Sequence, residues 1–105
     1  MVIEWLEFKV DPESREKFIQ KDNEVWTALL VTYPGFIGKE IWLDPTALDQ
    51  VTMVIRWQTR QQWKSVPQEI LEETERKFAR AMGVTPYEMI ETREYQIRKF
   101  PEVAR

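Results

Sequence analysis

Val51-Thr52-Met53-Val54-Ile55-Arg56-Trp57-Gln58 alternates between two sets of side chains. Val51, Met53, Ile55 and Trp57 form one apolar set, and Thr52, Val54, Arg56 and Gln58 fall between them. A period of two marks a strand with one face on a core. This strand, read over 50–58, sets the phase for its neighbours. The run 36–44 then puts Ile37, Ile41 and Leu43 inward, with Phe36, Glu40 and Trp42 outward. Asp44-Pro45 joins the two runs as a hairpin with a short loop. Residues 2–10 alternate in the same way, with Leu6, Phe8 and Val10 inward and Ile3, Trp5 and Glu7 outward. A last strand is read over 87–99.

Two helical regions separate these strands. Asp11-Pro12-Glu13 has an N-cap residue, a proline at the first helical position and an acid at the positive end of the dipole. Phe18, Ile19, Val25, Trp26 and Leu29 follow as one apolar stripe, and Tyr33-Pro34-Gly35 turns the chain. Thr59-Arg60-Gln61-Gln62 and Ser65-Val66-Pro67-Gln68 both match a capping box. They predict a short helix from Thr59 and a longer one from about Val66 to Met82, ended by Gly83 and Pro86. The order is β-α-β-β-α-β. Two right-handed crossovers put both helices on one face of a four-stranded antiparallel sheet. The expected fold is therefore α+β, ferredoxin-like, as a single domain over 1–105.

That arrangement leaves Ile3, Trp5, Phe36, Trp42 and Val54 on the sheet's other face. Each aromatic of this size buries on the order of 150–250 Å². A patch of that extent is an interface rather than a wet surface. A second copy, paired sheet to sheet, is the expected partner, with Glu7, Glu40 and Arg56 setting the register.

Composition removes many functions. The chain has no histidine and no cysteine. The usual general base near neutral pH, Ser-His triads, disulfides and most zinc sites go with them. The net charge of −3 carries no basic stripe for nucleic acid. No apolar run is long enough for a membrane span, and Met1-Val2-Ile3-Glu4-Trp5 does not read as a signal peptide. A cytoplasmic protein is expected.

Tyr33-Pro34-Gly35-Phe36-Ile37-Gly38 and Arg56-Trp57-Gln58-Thr59-Arg60-Gln61-Gln62-Trp63 together resemble the dimeric α/β-barrel group related to antibiotic biosynthesis monooxygenases. The likeness runs along nearly the whole chain and is nearest to a cyanobacterial-type subgroup. It implies two sheets pairing into a barrel across a homodimer, with ligands held between helices and sheet. Cofactor-free members of that group oxidise polycyclic phenols with a tryptophan, an asparagine four residues earlier and a tyrosine six residues later. This chain keeps Trp57 but has Met53 and Trp63 at the other two places. The haem-degrading branch uses a helix histidine that is absent here. No cofactor and no metal are expected.

Asp22 lies near the middle of the stripe made by Phe18, Val25, Trp26 and Leu29. A buried carboxylate there must be paired, protonated or beside a cavity. Arg15 or an indole N–H could satisfy it. In the other reading it is a pocket acid and a catalytic base. Trp26, Met53, Trp57, Trp63 and Phe78 would line such a pocket and suit a flat hydrophobic aromatic ligand. Two functions therefore stand side by side. One is a protein that binds or oxidises such a molecule without a metal; the other is a non-catalytic homodimeric module whose side chains fill the pocket.

Overall fold

A computed structural model describes residues 1–99. Residues 100–105 of the domain expected over 1–105 lie outside the described residues. The strands are β1 (Val2–Lys9), β2 (Phe36–Trp42), β3 (Gln50–Trp57) and β4 (Glu88–Gln96). They form one antiparallel sheet in the order β2-β3-β1-β4. The helices are α1 (Arg15–Asp22), α2 (Ala28–Leu30), α3 (Arg60–Lys64) and α4 (Gln68–Met82). The element order and the ferredoxin-like class agree with the reading of the sequence.

The phase read from β3 holds for that strand and for β1. Val51, Met53, Ile55 and Trp57 are all buried. Val2, Glu4, Leu6 and Phe8 stand opposite Trp57, Ile55, Met53 and Val51 and share their face. In β2 the phase breaks. Phe36 pairs with Trp57 but Gly38 pairs with Arg56, so Ile37 is an extra residue in a bulge. Phe36, expected outward, therefore turns in and meets the Trp57 ring edge-on at 5.7 Å. Ile37, expected inward, is turned out and exposed. Leu43 lies beyond the strand and is also exposed.

The outer face is less open than expected. Val54 and Ile3 are buried within the single chain. Val54 is a short side chain on a central strand, flanked by the larger Trp5 and Glu40. Arg56 pairs with Glu40 at 2.9 Å, and Arg93 lies over the Trp5 ring at 5.5 Å. Trp42 and Tyr95 remain about half exposed, at 49% and 45%.

The first helical region is not one regular helix. A 3₁₀ turn, Pro12–Ser14, leads into α1, and five residues of π-helix, Asn23–Thr27, link α1 to α2. Asp11 makes no side-chain cap; its carbonyl accepts from the Ser14 N–H at 2.9 Å. The π segment adds a residue to the turn and rotates α2 about the helix axis. Val25 and Leu30, five apart, are buried, whereas Leu29, expected in the stripe, is only half-buried.

The Thr59 cap forms as expected, its hydroxyl accepting from the Gln62 N–H at 3.1 Å. Ser65 does not cap α4. It closes α3, donating to the Gln62 carbonyl at 2.6 Å, and α4 starts after Pro67, whose extended backbone makes it the N-cap. Gly35, at φ +91°, turns the chain into β2 where a side chain would run into Gln62.

The helices cover one face of the sheet in two apolar clusters. One gathers Phe8, Phe18, Val51, Met53, Phe78 and Met82; the other gathers Val2, Leu30, Ile55, Trp57 and Val66. All residues of β4 are exposed, and the helices reach it through Arg60 of α3, which pairs with Glu94.

Candidate functional site

The two clusters do not close on each other. Between them lies a cavity of about 710 Å³ whose wall includes Phe8 and Phe78 of the first and Leu30, Ile55, Trp57 and Val66 of the second. Besides Phe8 of β1, its aromatic surfaces are Trp26 from the π segment, Trp57 from the end of β3, Trp63 from α3 and Phe78 from α4. These four are among the residues expected to line a pocket. Met53, also expected there, is buried in the first cluster instead, between Leu6 and Ile41 on the neighbouring strands.

Four charged residues reach this wall from the sheet, Glu4, Lys39, Arg93 and Glu94, and none was singled out from the sequence; Arg93 and Glu94 are exposed, whereas Glu4 and Lys39 are not. Glu4, on the inner face of β1, accepts a hydrogen bond from the Trp57 indole N–H at 3.2 Å. Trp57 is 0% exposed, so its N–H has no access to water and needs an acceptor. Burial pushes the Glu4 carboxyl above its ordinary range; the indole bond and the nearby Lys39 and Lys64 oppose this without reversing it. Both Glu4 and Lys39 were legible in principle. Glu4 falls in phase with Leu6 and Phe8, and Lys39 falls in phase with Ile41.

Lys39 explains the buried acid of the helix. It forms an ion pair with Asp22, and the two side chains are 5% and 4% exposed. Arg15, expected as a partner for Asp22, instead donates from Nη1 to the Leu48 carbonyl at 3.2 Å. The reason is position. Lys39 lies on the inner face of β2, whereas Arg15, two turns earlier, reaches the loop between β2 and β3. Burial pushes Asp22 up and Lys39 down, with each partner's charge working against the displacement.

Asp22 itself lines a second, smaller cleft of about 280 Å³, with Ile19, Asn23, Thr27 and Ile41. Lys39 borders both spaces. Of the two carboxyls that burial pushes up, the half-buried Glu4 borders the aromatic cavity and the buried Asp22 does not. Among the described residues no three His, Cys, Asp or Glu side chains come together in a way that could hold a metal.

Two measurements check these electrostatics. Glu4 has an ordinary value of 4.5 and is raised in the folded chain. Between those two values the folded chain keeps a proton that the unfolded chain has released, so stability falls as pH rises through that window. Glu4→Gln removes the charge and keeps an acceptor for Trp57. Denaturant melts should show it more stable than wild type at pH 7, by about 1.4 kcal/mol for every tenfold rise in proton affinity that folding imposes on Glu4. Below pH 4.5 the two should be level. For the ion pair, Lys39→Met leaves Asp22 buried and alone, a loss of about 3–5 kcal/mol. Adding Asp22→Leu should recover most of that loss; a double variant as unstable as the sum of the singles would show that the pair is not coupled.

The antibiotic biosynthesis monooxygenase family matches residues 1–69. No curated protein matches the chain. Among solved structures, the ActVA-Orf6 monooxygenase of Streptomyces coelicolor, in complex with nanaomycin D, superposes with a TM-score of 0.73 at 15% identity, covering 98% of this chain and 92% of that one. SnoaB, a cofactor-independent oxygenase from Streptomyces nogalater, superposes with a TM-score of 0.66 at 16% identity, covering 96% and 97%. A conserved protein from Methanosarcina mazei does so at 0.64 and 12% identity, covering 90% of each. At these identities the structures share the fold, and the sequence match carries the family. The chain belongs to the antibiotic biosynthesis monooxygenase family.

Proposed function

We propose that the chain binds a flat, hydroxylated aromatic molecule in the helix–sheet cavity and promotes its oxidation by dioxygen, with Glu4 as general base. The observation that supports this most is a large space walled by Trp26, Trp57, Trp63 and Phe78 with the half-buried Glu4 carboxyl at its surface. A filled pocket, the alternative reading, accords poorly with a cavity of about 710 Å³.

The residues suggest a division of labour. Indole and phenyl faces hold a planar ring by stacking and exclude water. Glu4 accepts the proton of a ring hydroxyl, and the resulting electron-rich anion is the species that gives electrons to dioxygen. For a dihydroxyanthrone the balance is one dioxygen consumed, one quinone and one water formed. The Trp57 N–H holds the Glu4 carboxylate in place. Asp22, expected as the base, has a different task in this scheme: it keeps Lys39 charged and fixed at the cavity wall.

Trp5, Trp42 and Tyr95 share the outer face of the sheet, and this face is the surface assigned to a second copy. Exposed aromatics grouped on one sheet face favour self-association over isolated chains in water.

A dihydroxyanthraquinone should quench the tryptophan fluorescence saturably. Leu71→Trp, which fills the cavity from a half-buried position on α4, should weaken that binding with little change in the melt. Consumption of the corresponding dihydroxyanthrone and dioxygen should slow by about 10²–10⁴-fold in Glu4→Gln. Saturable binding with no difference between wild type and Glu4→Gln would remove the base from the scheme. For the assembly, sedimentation at micromolar concentration should show a dimer, and Trp42→Arg should shift it toward monomer; a wild-type monomer would refute the assigned face.

A further inference from the structure

Lys39 is the one buried cation at the cavity wall, among the described residues, that has an acid on each side. Asp22 meets its ammonium directly. Glu4 and Lys39 both neighbour Ile55 in register, from β1 and from β2, on the same face of the sheet. With two strand spacings between them, their backbones lie about 10 Å apart. Side chains of that length reach toward each other across Ile55, and Glu4 contributes to the field at Lys39. Lys39 borders both the aromatic cavity and the cleft of Asp22, and its amine has a proton acceptor touching it and a second carboxyl nearby, the arrangement that carbonyl condensation needs.

We propose that the Lys39 amine captures aromatic aldehydes and ketones that enter the cavity, forming an imine. The inference uses the same cavity as the oxidation reading but none of its redox chemistry.

The step balances within the residues present. The Lys39 ammonium first passes its proton to Asp22, which frees the Nζ lone pair. That pair forms the C–N bond as the carbonyl π pair moves onto oxygen. Oxygen takes the proton from the Asp22 carboxyl and nitrogen gives one to the Glu4 carboxylate, which leaves a neutral carbinolamine. Loss of the hydroxyl as water takes the proton from Glu4, and the iminium proton goes to Asp22. One carbonyl compound, one ammonium and one carboxylate give one imine, one water and one carboxylic acid.

Burial favours each requirement. It pushes Lys39 below the usual lysine range, so its amine gives up a proton more readily than an exposed lysine does. It pushes Glu4 and Asp22 up, so both carboxyls can hold a proton. Exclusion of water also disfavours hydrolysis of the imine once formed. The ion pair with Asp22 is the opposing force, since it holds the amine in its charged form until the proton is passed on. The outcome is therefore selectivity: a hydrophobic carbonyl compound reacts at the least exposed lysine, and a small hydrophilic one does not discriminate.

The experiment is reductive trapping on the intact chain. Wild type is incubated with naphthaldehyde and cyanoborohydride, and adducts are located by peptide mass spectrometry over time. Lys39 should be modified faster than the exposed Lys9 and Lys77, by about tenfold for each tenfold loss of proton affinity that burial imposes on its amine. Prior addition of a dihydroxyanthraquinone should slow labelling of Lys39 and leave the others unchanged. Lys39→Arg should abolish that adduct. Because this variant perturbs a buried pair, the wild-type competition decides the matter even if it folds poorly. Adducts confined to exposed lysines, or labelling of Lys39 only after denaturation, would overturn the inference. If Lys39 stays unmodified while dihydroxyanthraquinone still quenches fluorescence, imine formation falls and the binding cavity stands. If Lys39 is trapped but dihydroxyanthrone is not oxidised, the amine chemistry stands alone.

Discussion

The burial of one indole organises this molecule. Trp57 ends β3 with no exposed surface, and an N–H that cannot reach water must find an acceptor inside the protein. Glu4 is that acceptor, so a carboxylate is drawn onto the inner face of β1 among apolar neighbours. The same ring needs apolar contact on its flank. Phe36 supplies it edge-on, and it can do so only because the Ile37 bulge turns the start of β2 inward. A large, flat side chain with one polar atom therefore sets a strand irregularity on one side and a half-buried acid on the other.

A second constraint acts from the helices. Asp22 stands on the buried side of α1 and must be neutralised there. Lys39 crosses from the sheet to do so. The π segment comes directly after Asp22, and its added residue brings Leu30 into the second cluster while Trp26 faces the cavity. A regular helix would have advanced Leu29 in its place. The cavity is thus a consequence of packing that does not close: two apolar clusters, each satisfied in itself, hold apart the aromatic side chains between them. An ion pair at one wall and a hydrogen-bonded carboxyl at another are costly for stability, and such costs are common where a site must do chemistry.

Met53 and Trp63 show how family and chain diverge. They occupy places where the resemblance implies an amide and a phenol. Met53 lies away from the cavity in the core, and Trp63 is on the cavity wall. Neither supplies a proton acceptor. Of the ionisable residues that line this cavity, only Glu4 of β1 and Lys39 of β2 are not exposed, among the described residues, so any acid–base chemistry here is arranged differently from the pattern the resemblance implies.

Periodicity alone determined much of the structure. The alternation over 50–58 orients β3 and β1, because a pleated strand has only two faces and the apolar set must take the dry one. Thr59, Pro86 and Gly83 bound the helices through local capping and backbone geometry, which depend on near neighbours only. Four of the aromatic wall residues follow from the same patterns. Tertiary structure decided the rest. The bulge at Ile37 answers to the Trp57 ring across the sheet, and the π segment answers to the packing beneath it; neither leaves a local mark on the residues that form it. The partner of Asp22 was hidden for the same reason. Pairing of a helix acid with a strand base depends on how α1 lies over β2, a long-range geometry that sequence spacing does not contain.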